Sequence, residues 1–275
     1  MKLVSGRKLL VLYDLSFNHL KPGYSKLILI CFSLLCFQAF GQDSARVAND
    51  DVTILYRNEA AGGLILHSNG FGITFKRGWH MTGYKKRLLD IDFVSLRDPK
   101  QYKLANPYYP DSKSYFYGKL NFAYILRGGY GRQNIIFSKG ERSGVEVRYN
   151  YYFGVSLGIT KPVYLDILVD NPFDSLTKVI ETRRYDPNDP VQQVQENIYG
   201  PGPYFSGMDQ LSIYPGGYGK FAFSFEYAGW QQKVTAIETG VVVDAYASGI
   251  PIMANGKANN IFFNFYISLI WGGKW

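Results

Sequence analysis

Cysteine is nearly missing from this chain. Its 275 residues hold two, Cys31 and Cys36, both near the N-terminus. If that segment is removed, disulfides, zinc–thiolate centres and cysteine nucleophiles are all excluded. Charge is also scarce, at 19% of residues. Beyond the N-terminal segment no run of about 20 clean apolar residues occurs, which excludes a bundle of membrane-spanning helices. No glycine-rich phosphate loop leads from a strand into a helix, and no metalloprotease motif is present. What the chain does have is apolar and aromatic side chains, 47% and 17% of residues. That composition excludes a disordered chain, and the 29 glycines follow no collagen period. An all-β domain of about 200–250 residues fits the length.

The N-terminal segment reads as a leader. Lys21 and Lys26 precede the apolar run Leu27–Phe37, and Gln38-Ala39-Phe40-Gly41 follows before polar Gln42-Asp43-Ser44. A basic flank, a short apolar stretch and small residues at the last and third-last positions predict a secretory signal over 1–41, cleaved after Gly41. The competing reading, a membrane anchor, needs a longer run than this one. A lipid-carrying Cys36 would want a small residue just before it, where Leu35 stands. Cleavage removes five basic groups and one acid, leaving 25 against 21 and a net charge of +4. The apparent basicity is therefore partly the leader's, and no case for nucleic-acid binding remains.

The rest alternates with period two, the signature of strands with two different faces. The clearest runs are 145–157, 220–227 (Phe221, Phe223, Phe225 and Tyr227 on one face) and 263–271 (Phe263, Phe265, Ile267, Leu269 and Trp271 on one face). Weaker runs lie at about 62–68, 70–80, 86–96, 115–127 and 233–246. The expectation is eight antiparallel strands over 62–275, after an N-terminal periplasmic segment at 42–61. Ser68-Asn69-Gly70 fits a tight hairpin turn.

Which face points inward follows from chemistry. The polar faces collect Lys76, Lys119, Arg127, Arg148 and Lys220 beside Asp90, Asp92, Glu146, Glu226, Glu238 and Asp244. Signs that nearly cancel suit a narrow lumen filled by ion pairs, because isolated buried charges are costly. The other face is rich in Phe, Tyr, Trp, Leu and Val, as lipid requires. The expectation is therefore an all-β, eight-stranded antiparallel transmembrane β-barrel with a plugged polar interior, in a Gram-negative outer membrane. Its lipid-facing residues would be Phe221, Phe223, Phe225, Phe263, Phe265, Ile267, Leu269 and Trp271. A solvated mixed-charge face on a soluble barrel is the alternative. With both ends periplasmic, outward loops fall at 69–70, 97–114, 159–216 and 247–257, and inward turns at 81–85, 128–143 and 228–232. Long outward loops and short inward turns are the expected asymmetry, with 128–143 the exception.

Phe263–Trp271 resembles the C-terminal β-signal of Gram-negative outer-membrane proteins. More broadly the chain is similar to small outer-membrane β-barrel proteins of the Bacteroidetes group. The likeness is carried by Gln42 after the cleavage site and by three phrases, Tyr117–Asn121, Gly144–Tyr149 and Ile250–Ala254. Some barrels of that group are accessory subunits of the β-barrel assembly machinery or the type 9 secretion system. The resemblance implies such a structural or accessory role in an envelope complex, with protein partners besides outer-membrane lipids. A stand-alone barrel for envelope integrity or adhesion is the alternative. Tyr199, Tyr204 and Phe205 in the long outward loop are candidate partner-binding aromatics.

Little points to catalysis. Only His67 and His80 follow the leader. A lipid-A-modifying barrel would use a rim histidine with serine and an acid, but His67 and Ser68 are neighbours on one strand and point to opposite faces. Asp186-Pro187-Asn188-Asp189-Pro190 lacks calcium-loop spacing and reads as a turn. No enzyme activity, cofactor or metal is expected. Eight strands leave a filled interior, so a diffusion pore is not expected either.

Overall fold

The computed structural model describes residues 57–138, 144–171, 174–227 and 233–275. The expected leader at 1–41, residues 42–56 and the expected turn at 228–232 lie outside the described residues. The strands in chain order are β1 (Asn58–His67), β2 (Gly70–Thr82), β3 (Lys85–Leu96), β4 (Lys103–Leu104), β5 (Tyr115–Phe116), β6 (Asn121–Phe137), β7 (Glu146–Pro162), β8 (Tyr164–Asn171), β9 (Asp174–Arg184), β10 (Ile198–Pro201), β11 (Ser212–Glu226), β12 (Lys233–Ile250) and β13 (Asn259–Lys274).

Eight of them form a closed barrel in the order β1-β13-β12-β11-β7-β6-β3-β2. Each wall strand pairs antiparallel with its neighbours along the chain, and β1 meets β13 to close the ring. The seam runs from Glu59 opposite Lys274 to His67 opposite Tyr266. Closure leaves no unpaired edge in the wall. The alternation seen in the sequence becomes an inside and an outside. Along β13, Phe262, Asn264, Tyr266, Ser268 and Ile270 are buried in the lumen, while Phe263, Phe265, Ile267, Leu269 and Trp271 are exposed.

Several boundaries differ from expectation. The barrel begins at Asn58, inside the segment expected to precede it. The fourth wall strand, expected at 115–127, is β6 at 121–137; the expected loop at 128–143 is mostly strand. The sixth, expected at 220–227, begins at Ser212. Glycine hides both extensions, in Gly128-Gly129-Tyr130-Gly131 and Pro215-Gly216-Gly217-Tyr218-Gly219. A glycine carries no face label, so alternation lapses where the backbone is still extended. Tyr115 and Phe116 belong to a small outer hairpin, β4–β5, and not to the wall.

Those glycines make room. Tyr218 lies opposite Gly154, which lies opposite Gly129, which lies opposite Asp90. The Tyr218 side chain crosses both glycines and its hydroxyl reaches Asp90 Oδ2 at 3.3 Å. A Cβ on Gly129 would stand 2.4 Å from the Tyr218 hydroxyl oxygen and 2.8 Å from the Phe153 carbonyl oxygen. Two missing side chains on adjacent strands thus make the trough that one ring fills.

Beyond the wall ends that carry the long loops sits a second layer of structure. β10, β8 and β9 form a three-stranded sheet, and its residues Leu165, Ile167 and Ile198 pack with Val163, just ahead of β8, and Tyr115 into a separate small core. Val163 N–H donates to the Leu120 carbonyl at 2.9 Å, which joins this crown to the start of β6.

Gly129→Val is expected to lower stability by about 1–3 kcal/mol through overpacking. The double variant Gly129→Val/Tyr218→Ala is expected to lose less than the sum of the two single losses. Urea unfolding of the three variants in detergent micelles measures both.

Candidate functional site

Two regions hold most of the polar and aromatic chemistry: the lumen, and the outer mouth with its crown.

Within each wall strand the lumen charges share one parity, odd in β1 and β6 (Glu59, Arg127) and even in the others, while the opposite parity faces outward, so alternation brings them together. At one level Arg127 makes a two-point pair with Asp244, Nε to Oδ1 at 2.8 Å and Nη2 to Oδ2 at 2.7 Å. Asp244 also accepts from the Ser156 hydroxyl at 3.0 Å. Next, the Lys220 ammonium bridges Asp90 at 3.0 Å and Asp92 at 2.9 Å. Lys76 pairs with Glu238, which also accepts from the Tyr266 hydroxyl and from Asn150 Nδ2, both at 2.7 Å. Toward the chain termini, Arg148 pairs with Glu146 and, at 2.5 Å, with Glu226. Lys274 reaches Glu226 at 2.6 Å and Lys86 reaches Glu59 at 2.5 Å.

Ten of the eleven charges singled out in the sequence meet here. Lys119 does not. It lies just before β6 at the outer mouth, donates to Gln101 Oε1 at 3.0 Å and sits over the Phe116 and Phe122 rings at 4.6 and 4.4 Å. Burial on the rings, and not a carboxylate, holds it. Sequence reasoning missed Glu59, Lys86 and Lys274. Glu59 fell in the segment assigned before the barrel, and Lys274 lay past the last recognised alternation. Lys86 shares parity with Asp90 and was findable on that signal.

Six cations thus face seven carboxylates among the described residues. The pairing is tight: a cavity lined by Glu59, Lys76, Arg148 and Glu238 measures about 20 Å³, room for one water. The sequence predicts a polar interior, but the interior is not polar throughout. At the outer mouth Val94, Leu96, Ile125, Ile250, Ile252 and Phe262 form an apolar plug.

A strap crosses that plug. Residues 251–254 leave the end of β12 and pair with residues 118–121 ahead of β6, a strand that is not β12's neighbour in the wall. Leu120 N–H donates to the Ile252 carbonyl at 2.9 Å and Ala254 N–H to the Gly118 carbonyl at 2.8 Å. Asn121 Nδ2 donates to the Pro251 carbonyl at 2.7 Å. Gly118 has φ +67°, a left-handed turn that suits glycine. Two of the three phrases that carry the family resemblance are therefore the two halves of one contact.

The crown is folded, not a loose loop. Asn106 Nδ2 donates to the Glu196 and Ile198 carbonyls at 2.8 and 2.9 Å, tying residues 97–120 to the β8–β10 sheet. Burial pushes the Tyr115 phenol up to about 12. Asp186 and Asp189 cap the backbone N–H groups of Asn188 and Val191, at 2.9 and 3.0 Å. Of the aromatics singled out there, Tyr199 is half-buried with its ring edge-on to Tyr109. Tyr204 and Phe205 are exposed, their rings 5.4 Å apart, and the Tyr204 hydroxyl meets that of Tyr124 at 3.0 Å. Lys161 binds the Tyr204 carbonyl and lies 4.2 Å from its ring.

His67 faces inward at the rim. Its Nε2 meets the Ser95 carbonyl at 3.0 Å and its Nδ1 accepts from Asn69 N–H at 3.3 Å. The Ser68 hydroxyl goes elsewhere, to Asn264 Oδ1 at 3.2 Å. An open cleft of about 380 Å³ adjoins them, with Arg97, Asp98 and Gln101 on its other side. No group of three or more His, Cys, Asp or Glu side chains arranged to hold a metal occurs among the described residues.

Lys220→Met leaves Asp90 and Asp92 without their shared cation and is expected to cost about 3–5 kcal/mol in urea unfolding. Adding Asp90→Asn and Asp92→Asn is expected to restore part of that loss. Asn121→Ala is expected to speed hydrogen exchange at the Ala254 amide by roughly tenfold, the worth of one buried hydrogen bond, with wall amides unchanged.

No protein-family model matches the chain, and no curated protein matches it. Among solved structures it is similar to Ail, the attachment invasion locus protein of Yersinia pestis, in complex with the heparin analogue sucrose octasulfate. The identity is 9%, the match covers 80% of this chain and 99% of that one, and the TM-score is 0.34. It is also similar to Neisserial surface protein A, at 12% identity, 80% and 95% coverage and a TM-score of 0.29. Scores this low carry no argument about activity or partners.

Proposed function

We propose that this chain is an integral β-barrel of a Gram-negative outer membrane. In this reading it is non-enzymatic, closed to diffusion, and stands alone to present its folded crown at the cell surface for adhesion or envelope integrity. The observation that carries the proposal is the outer wall. Every one of the eight wall strands exposes large apolar side chains: Leu66, Ile73, Phe93, Leu126, Phe153, Phe221, Ile237 and Phe265 are one example from each. Soluble monomers rarely expose apolar patches beyond a few hundred Å², and this belt goes all the way round. Its height fits as well. From Ile261 to Trp271 along β13 the rise is about 34 Å, or roughly 25 Å along the barrel axis at a tilt near 40°. That matches the apolar band of an outer-membrane barrel.

The sealed lumen supports a role that resides on the surface. Among the described residues, ion pairs, an apolar plug and the strap fill the lumen. The crown, built from three of the outward connections, offers Tyr204 and Phe205 as exposed anchors. Both ring nitrogens of His67 are engaged and its neighbour's hydroxyl is bonded elsewhere, so a nucleophile–base pair is not assembled at the rim. The same exposed aromatics would serve a docked role in an envelope assembly or secretion complex, which the family resemblance implies, and nothing among the described residues favours that role over the stand-alone reading.

Purified wild-type protein in mild detergent is expected to migrate faster on gels unboiled than boiled, to conduct nothing in planar bilayers, and to leave the membrane without a stoichiometric partner. A processed chain that stays monomeric in buffer without surfactant overturns the membrane reading. A stoichiometric companion replaces the stand-alone reading with the accessory one.

A further inference from the structure

The charges on the barrel wall are sorted by sign. Among the described residues, all seven carboxylates of the wall strands, Glu59 to Asp244, point into the lumen. The charges that point outward are Arg77, Lys85, Arg87, Arg132 and Lys233, all cationic and all exposed. They sit at one end only, the end that holds the short turns and both ends of the barrel chain.

Four of them form a patch across three adjacent strands. Arg87 on β3 is directly opposite Arg132 on β6. Arg77 on β2 lies opposite Leu89, one diagonal step from Arg87, and Lys85 lies opposite Asn134, one diagonal step from Arg132. Like charges placed opposite one another on a sheet are destabilising, and no described carboxylate pairs with any of these four. Their other neighbours are soft or aromatic. Arg77 lies 5.6 Å from the Trp79 ring and Arg87 Nε donates to Met81 Sδ at 3.0 Å. Three exposed guanidinium groups at neighbouring register positions on adjacent strands, with no acid beside them, favour an anion there, and one that fits their planar forks is phosphate.

We propose that Arg77, Arg87 and Arg132 form a binding site for the phosphodiester headgroup of an anionic phospholipid, in the leaflet that adjoins the chain termini. This rests on the membrane reading above, which sets that end of the barrel at a lipid interface. Trp79 and Tyr130 flank the arginines on the outer wall, at the headgroup depth where Trp and Tyr collect. Sequence alone does not reveal the site, because its arginines are 10 and 45 residues apart and meet only through the register.

The test uses the full purified protein in neutral detergent, with phosphatidylglycerol or phosphatidylcholine added and retained lipid counted by native mass spectrometry. Each basic residue near an anionic surface is worth roughly fivefold in affinity, so three give on the order of a hundredfold. Wild type is expected to prefer phosphatidylglycerol by about that factor. The variant Arg77→Gln/Arg87→Gln/Arg132→Gln is expected to lose the preference while keeping its heat-dependent gel shift. Arg132→Gln alone, which leaves most of the wall intact, is expected to lose roughly fivefold. Equal retention by wild type and triple variant overturns the site. So does displacement of the lipid by an equal concentration of inorganic phosphate, which would make the ligand a free anion. A wild type that shows no heat shift fails earlier, and sinks the membrane reading itself.

Discussion

Everything in this barrel depends on the neutralisation of charge inside a narrow tube. An unpaired carboxylate or ammonium out of water costs several kcal/mol even after relaxation. The lumen holds charges from β1, β2, β3, β6, β7, β11, β12 and β13, so every wall strand contributes at least one partly polar row. Lys220 is the clearest case. It comes from β11 and holds two carboxylates from β3, across the lumen and not along the wall. Arg127 of β6 does the same with Asp244 of β12. These cross-lumen pairs fix which strands face one another. The wall hydrogen bonds, which are nearly the same in any register, cannot do that. A slip of one residue in any strand would send its charge to the outer wall and apolar side chains of the outer face to the lumen.

The same parity accounts for the outside. Because carboxylates are consumed within, the outer wall carries apolar side chains with a cationic fringe at one end. The two halves of the sequence pattern are thus one constraint. The crown obeys a different one. It has its own small core around Ile167 and Ile198 and is tied down by Asn106, whose amide serves two carbonyls at once. It is a folded module joined to the wall ends, which is why its aromatics divide into half-buried Tyr199 and exposed Tyr204 and Phe205.

Much of the wall was legible in the sequence. Wherever both faces bear side chains, as at 145–157 or 263–271, period two placed strand and face together. It failed where glycine erased one face, along Gly128–Gly131 and Gly216–Gly219, and one of those glycines, Gly129, is where Tyr218 needs the space. Ten lumen charges could be found because they share parity. Lys119 shares it too, but the strand it was assigned to begins two residues later, and its ammonium rests on rings instead. The crown was not legible. Short strands such as β10, with four residues, are too brief for a period to declare itself. Nor was the strap, since nothing local in Tyr117–Asn121 or Ile250–Ala254 signals that one will meet the other.

That meeting joins Asn121 to Pro251 across 130 residues of chain. Its two halves belong to the early part of the barrel and to the final hairpin, so the roof over the outer mouth is unfinished until the last strands arrive. Before then Val94, Leu96 and Ile125 stand uncovered at the rim. The barrel thereby carries a record of its own completion: a greasy mouth marks a molecule still being built, and a roofed one marks a molecule that is done.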